Sequence, residues 1–292
     1  MVLFPFSTLS IILLNYFNTS NKLIDFSKLS VLKALSGLIF ITLFFVLGLN
    51  FVDNVQVLWL MQIIGVLVGL IFFLPKYRVY RTKFKIAYQT FIKKYMRFAG
   101  PLMFMAIWAW CNNYFDKYAI EYFLTMEDVG NYNASYSVGS KFFLFLSPLF
   151  MILLTPMVYS VSHLNVKKHT IQKYSLYYLI FAIPILVAIY YLKDFIGSIL
   201  LSENYKAGFS IIFWIALAFF IYTLTKLFEL LFYAEQRTKV IMTGNIISAI
   251  LNIFLNVLLI PIWGLLGAAL ATCIGFTAYL GVIYYNFKNY KV

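Results

Sequence analysis

NIFLNVLLIPIWGLLGAALAT, residues 252–272, is the stretch that decides the fold. Asn252 and Asn256 stand in otherwise apolar sequence, Pro261 and Gly264 follow, and a patch of small residues opens a second apolar run. Proline lacks an N–H and its ring clashes with the preceding turn, so Pro261 can end a helix. Gly264 supplies the backbone freedom a sharp reversal needs. Gly267, Ala268 and Ala271 leave room for a neighbouring helix to approach closely. The stretch reads as two membrane helices joined by a very tight turn.

The rest of the chain is of the same character. Of its 292 residues 63% are hydrophobic and only 11% charged, and the mean hydropathy is +0.87. An ordinary soluble domain has roughly 45–50% apolar and 25% charged residues, so a water-soluble fold is excluded. The expected class is an all-α integral membrane protein, a multi-span helical bundle. An aromatic share of 20% suits interface belts and lipid contact. Cys111 and Cys273 both fall inside apolar runs and read as small packing residues, not as a disulfide or a metal site.

A net charge of +13 raises the question of nucleic acid, but its distribution argues for a membrane. Apolar runs long enough to span, which takes about 20 residues, fall near 30–50, 54–75, 97–118, 131–157, 174–192, 208–232, 240–262 and 264–286, after a shorter run at 1–17. Basic residues cluster in alternate loops: Lys22, Lys28 and Lys33; then 76–97 with eight lysines and arginines; then Lys167, Lys168 and Lys173; then Arg237 and Lys239; then Lys288 and Lys291. The other loops hold Asp53, Asp116, Glu121, Glu127, Asp128, Asp194 and Glu203 with three lysines among them. Lysine and arginine excess in short loops marks the cytoplasmic side, so the expectation is a multi-pass protein of the cytoplasmic membrane with its C-terminus inside. The run at 1–17 has no basic leader region and no small-residue cleavage site, so it is not a secretory signal. Topology puts Met1 outside, and the expectation is a chain missing its first few helices.

The long basic loop at 76–94, entered by Pro75, is the natural boundary. It divides the chain into 1–75, a partial N-terminal lobe (the end of one span plus two spans), a basic cytoplasmic linker at 76–96, and 97–287, a complete lobe of six helices. Transporters are often built as two related bundles with the substrate site between them.

Residues 97–136 read RFAGPLMFMAIWAWCNNYFDKYAIEYFLTMEDVGNYNASY. Arg97, Pro101-Leu102, Asp116-Lys117 and Val129-Gly130-Asn131-Tyr132, taken with Asn252, Asn256, Pro261 and Gly267-Ala268-Ala269, resemble the second bundle of the bacterial oligosaccharide-lipid flippases (Wzx-type), within the superfamily that includes the MATE drug exporters. The match covers most of 97–290; residues 1–75 fit more loosely as helices four to six of a twelve-helix flippase. The resemblance implies a MATE-like two-lobe architecture with its first lobe incomplete. It also implies a cargo: an oligosaccharide repeat unit of O-antigen, lipopolysaccharide or capsule type, carried on a polyprenyl pyrophosphate.

Polar residues inside the apolar runs are the candidate path. A charge at mid-bilayer costs about 2.5–3.5 kcal/mol on insertion scales and asks for a partner or a watery cavity. Lys141 lies about 15 Å into its helix at 1.5 Å per residue. Asn133, Ser137 and Ser140 share its face, and Pro148 beyond them is expected to kink the helix. It is read as facing a lumen; the alternative is a lysine neutralised by a buried acid. Lys226 and Glu229, in line with Thr223 and Tyr233, either neutralise each other or line the path. Asn112, Asn113 and Asp116 lie one turn apart near the outer surface, where Asp116 is either a cavity carboxylate or an interface one beside Lys117. Asn245, Ser248, Asn252 and Asn256 read as interhelical glue. Lysines such as Lys141 and Lys226 would attract a pyrophosphate, asparagines and tyrosines would hydrogen-bond sugars, and Asp116 or Glu229 would take up a proton or sodium ion if transport is ion-coupled.

His163 and His169 sit in a basic loop without cysteine or carboxylate company, so metal binding is not expected. No P-loop and no G-x-S-x-G occurs, so no enzyme activity is expected, and no cofactor or nucleic acid. The basic loops can also touch anionic lipid headgroups. Three alternatives stay open: a MATE-type drug or cation antiporter, which favours an acidic aromatic cavity; a membrane glycan polymerase or ligase, which usually needs a longer outer loop; and a non-functional, truncated flippase.

Overall fold

The computed structural model describes residues 10–11, 13, 23–46, 63–64, 66–71 and 88–291. The expected run at 1–17, the span at 54–75, the end of the 30–50 span and the linker up to residue 87 lie wholly or largely outside these. Every regular element among the described residues is helical, and the chain is an all-α, multi-span membrane protein.

Two compact units divide the chain, residues 1–85 and 86–292. In the first, α1 (Leu23–Val46) buries Leu29, which lies close to Gly69 of a second helical segment, while Lys33 Nζ donates to Ser10 Oγ at 3.0 Å. The second unit contains α2 (Tyr88–Phe123), α3 (Met126–Tyr159), α4 (Leu164–Leu200), a 3-10 turn (Glu203–Ile211), α5 (Ile212–Ala234) and α6 (Thr238–Asn289). Among the described residues four helical stretches are long and apolar enough to cross a membrane: α3, α4, the 3-10 turn with α5, and α6. At 36 residues α2 is also long enough, but Asn112, Asn113, Asp116 and Lys117 dilute its apolar run.

The helices overrun the expected spans at most ends. Residues 88–96, assigned from sequence to the linker, are the first turns of α2, and α4 begins at Leu164, well before its apolar run. Helical hydrogen bonding does not stop where an apolar run ends; polar residues such as Lys167, Lys168 and Thr170 continue the coil beyond it. Boundaries appear where capping chemistry sets them. Thr125 opens α3 with a reciprocal box: its Oγ1 accepts from Asp128 N–H, and its own N–H donates to Asp128 Oδ2, each at 3.2 Å.

Helix α5 is the axis of the unit. It is buried on several sides by Ile215, Phe219, Leu227, Leu231 and their neighbours, and packs against α3, α4 and α6. A helix apolar all round belongs in the middle of a bundle. In turn α2 lies against α6.

The stretch at 252–272 folds as its residues suggest, with one difference. Helix α6 consists of two arms, 238–263 and 265–289, meeting at Gly264, whose φ of 56° and ψ of −135° are non-helical. An L side chain there would cost of order 1–3 kcal/mol. The break therefore falls at Gly264 and not at Pro261, which sits inside the last turn of the first arm. The arms close tightly: a Cβ on Gly267 would overlap the Leu259 carbonyl, and Ala268, Ala269 and Ala271 are fully buried. Asn252 Nδ2 donates across the arms to Thr272 Oγ1 at 3.4 Å, and Asn256 Nδ2 donates to the Asn252 carbonyl at 2.9 Å.

Candidate functional site

The polar residues of the second unit form two regions. The first is a buried network running between helices. On α5, Lys226 Nζ donates to both Glu229 oxygens, at 3.1 and 2.9 Å, while Tyr279 from the second arm of α6 donates its hydroxyl to Glu229 Oε1. The Glu229 side chain is completely buried and that of Lys226 is 22% exposed, its ammonium lying 4.8 Å from the centre of the Tyr222 ring. Lys226 and Glu229 thus form an ion pair one turn apart on α5.

On α2, Asn112 Nδ2 donates to Asn245 Oδ1 at 3.3 Å, and Ser248 Oγ donates to Asn112 Oδ1 at 3.3 Å, tying α2 to the first arm of α6. Asn113 turns the other way and donates to the Ala109 carbonyl of its own helix at 2.6 Å. Asp116, 1% exposed, accepts the Tyr132 hydroxyl at 2.6 Å and the Lys117 N–H at 2.9 Å. The Lys117 ammonium lies over the Tyr114 and Tyr136 rings instead, 5.0 and 5.6 Å from their centres. Asp116 and the Tyr132 of Val129-Gly130-Asn131-Tyr132, distant pieces of one sequence pattern, thus meet in a single hydrogen bond between α2 and α3. That contact needs the α2–α3 register and is not visible in the sequence.

The second region is a groove of about 600 Å³ between α3 and α4. Ser137 and Lys141 are its polar residues; Val138, Phe142, Phe145, Leu146, Ile185 and Leu200 are its walls. Lys141 lies near the middle of the 34-residue α3, exposed, and among the described residues it has no hydrogen-bond or ion-pair partner. The expected polar face is narrower than its spacing implied: Ser140 is buried and donates to the Ser137 carbonyl, leaving Ser137 and Lys141 on the groove. Proline at 148 in α3 and at 184 in α4 each removes a backbone hydrogen bond near this level.

One further feature escaped the sequence reading. Trp110, Tyr114, Tyr118 and Tyr122 recur every four residues along α2 and are all exposed, Trp110 lying 5.9 Å from both Tyr114 and Tyr118 between ring centres. The i, i+4 recurrence was the available signal.

No metal-holding group of three or more His, Cys, Asp or Glu residues occurs among the described residues. At the lysine-rich end of the unit, Lys167 Nζ pairs with Glu235 at 2.7 Å, and Lys168 Nζ donates to the terminal carbonyls of Lys288 and Tyr290. These contacts staple α4 to the ends of α5 and α6.

Comparison with curated proteins and with solved structures returns no match. A family profile described as "Polysaccharide biosynthesis protein" matches residues 1–162, more than half the chain, from the first unit through the whole of α3 and Lys141. By that match the chain belongs to the polysaccharide biosynthesis protein family, in which a many-helix membrane protein of this kind is a polysaccharide-related transporter.

Proposed function

We propose that the protein moves polyprenyl-pyrophosphate-linked oligosaccharide repeat units across the bacterial cytoplasmic membrane for surface polysaccharide synthesis, acting as a transporter and not as an enzyme. The observation that carries this reading is Lys141: an ammonium near mid-span, exposed on a groove, without a partner among the described residues. Leaving a charge there costs about 2.5–3.5 kcal/mol unless water or an anion meets it. A cargo with a pyrophosphate between sugar and lipid supplies that anion. The two fully buried carboxylates of the second unit, Asp116 and Glu229, are already engaged with Tyr132, Tyr279 and Lys226. The open charge is therefore basic, which favours an anionic cargo over the cationic cargo of a MATE-type antiporter.

In this reading the protein works by alternating access, its binding site opening in turn to each side of the membrane. The basic loops lie in the cytoplasm and the Asp128 and Glu203 end lies outside. Ser137 and Lys141 meet the pyrophosphate. Asn112, Asn113, Lys226 and the aromatic residues of α2 bound the rest of the path, and Asp116 and Glu229 are the carboxylates through which a coupling proton or sodium ion would act.

The test is glycan export in the native host with the chromosomal gene replaced. Lys141→Arg is expected to retain export and Lys141→Gln to lose most of it at unchanged protein level. A Lys141→Gln protein that accumulates normally and exports at the parental rate removes the reading's main support.

A further inference from the structure

Lys141 has company that a hydrated channel does not require. Around it, from both α3 and α4, stand Phe142, Phe145, Leu146 and Ile185, so the groove is an apolar slot with a single cation on its wall. A channel for sugars alone would be lined by hydrogen-bonding groups; here, among the described residues, Ser137 is the only other polar one. A volume of about 600 Å³ is that of a pocket for one small amphiphile. The complementary ligand has one anionic head and one hydrocarbon chain.

We infer that the α3/α4 groove is the seat of the cargo's lipid anchor: the phosphate of an isoprenoid lipid sits on Lys141 and Ser137, and the first isoprene units lie along Phe142, Phe145 and Ile185. This rests on the flippase reading and adds a place to it. Residues of the second unit hold the anchor, at the level of Lys141 on α3. The phosphate answers the desolvation of the lysine, and the chain covers apolar walls otherwise exposed. Neither half of the ligand satisfies the groove by itself.

The experiment is equilibrium binding to the full chain in phosphatidylcholine nanodiscs, with empty nanodiscs subtracted and three probes: farnesyl pyrophosphate, farnesol and inorganic pyrophosphate. Farnesyl pyrophosphate is expected to bind at least tenfold more tightly than either of the others. Lys141→Gln should weaken it at least tenfold and leave farnesol unchanged, Lys141→Arg should stay within threefold of the parent, and Ile185→Trp, which fills the slot, should weaken both isoprenoids. Thermal melting of each variant within a few degrees of the parent shows that the fold is intact; should Ile185→Trp fail to fold, the lysine pair decides. Inorganic pyrophosphate binding as tightly as farnesyl pyrophosphate would reduce the groove to an anion site and overturn the inference. So would indifference to Lys141→Gln, displacement by phosphatidylglycerol in the disc, or binding of none of the probes. Because the assay measures no transport, Lys141-dependent binding in a protein that exports no glycan would sink the flippase reading and leave the groove assignment standing. Normal export without such binding would do the reverse.

Discussion

The buried network and the α3/α4 groove handle polarity in opposite ways. In the network Glu229 and Asp116 are sealed from solvent and each has hydrogen-bond donors: Lys226 and Tyr279 for one, Tyr132 and a backbone N–H for the other. In the groove Lys141 is exposed, and the described residues offer it nothing. A satisfied buried network specifies how helices pack, whereas an unsatisfied charge in an apolar setting is tolerated where something else arrives to meet it. Substitution in the first region should therefore register in stability, whatever it also does to transport, and in the second in function alone.

The largest expected effect on stability lies at Lys226. Removing one partner of a buried pair strands the other at roughly 3–5 kcal/mol, and the partial exposure of Lys226 places the cost near the lower figure. Lys226→Leu is expected to lower the unfolding free energy by about 3 kcal/mol, and adding Glu229→Gln to recover most of it. Thermal or steric-trap unfolding of the four proteins of that cycle measures it. A Lys226→Leu protein as stable as its parent would remove the network's claim to hold the helices together.

A smaller effect is expected at Asn112. Interhelical hydrogen bonds inside membranes average about 0.6 kcal/mol and reach about 1.7. Asn112 exchanges hydrogen bonds with Asn245 and Ser248, so Asn112→Leu should cost about 0.6–1.7 kcal/mol in the same unfolding assay. A cost near zero would mean that α2 is held on α6 by apolar packing alone.

On the other side of the comparison, Lys141→Gln should change stability by no more than about 0.5 kcal/mol, as exposed substitutions do. The same change is expected to abolish most export. If instead it destabilised the protein by several kcal/mol, Lys141 would belong with the network and its proposed role would fall.

Much of this contrast has a visible cause in the sequence, and part of it does not. The hairpin at 252–272 is legible because its signals are local: a glycine at the reversal, small residues beside it, and asparagines at helical spacing. The positions of Lys141 and of the Lys226–Glu229 pair are legible because charges in apolar runs are rare. What the sequence withholds is register between helices. The meeting of Asp116 with Tyr132, the hydroxyl of Tyr279 on Glu229, and the closeness of Ile185 to Lys141 each depend on how far one helix slides along another. The same ignorance misplaces helix ends. Residues 88–96 look like a basic loop by charge, yet they carry α2 beyond its apolar run.

The smallest expected effect on stability concerns the aromatic row on α2. Trp110, Tyr114, Tyr118 and Tyr122 project from one face, all exposed. Aromatic residues commonly gather at the membrane–water interface, but that layer is only about 5–7 Å thick on each side of a hydrocarbon core of about 30 Å. Twelve residues of helix rise about 18 Å, so the row is longer than an interface belt is thick. The spacing of about 6 Å between successive members presents flat apolar faces with polar edges in a line, a surface on which sugar rings can stack while their hydroxyls meet the tyrosine O–H groups. If the row carries the glycan, Trp110→Leu with Tyr118→Leu should leave stability within about 0.5 kcal/mol and slow export about three- to tenfold, equivalent to about 0.7–1.4 kcal/mol of lost binding. If the row faces lipid, leucines serve as well as the aromatic rings and export stays at the parental rate. The lysine groove and the aromatic row would then part company, one belonging to the cargo and the other to the bilayer.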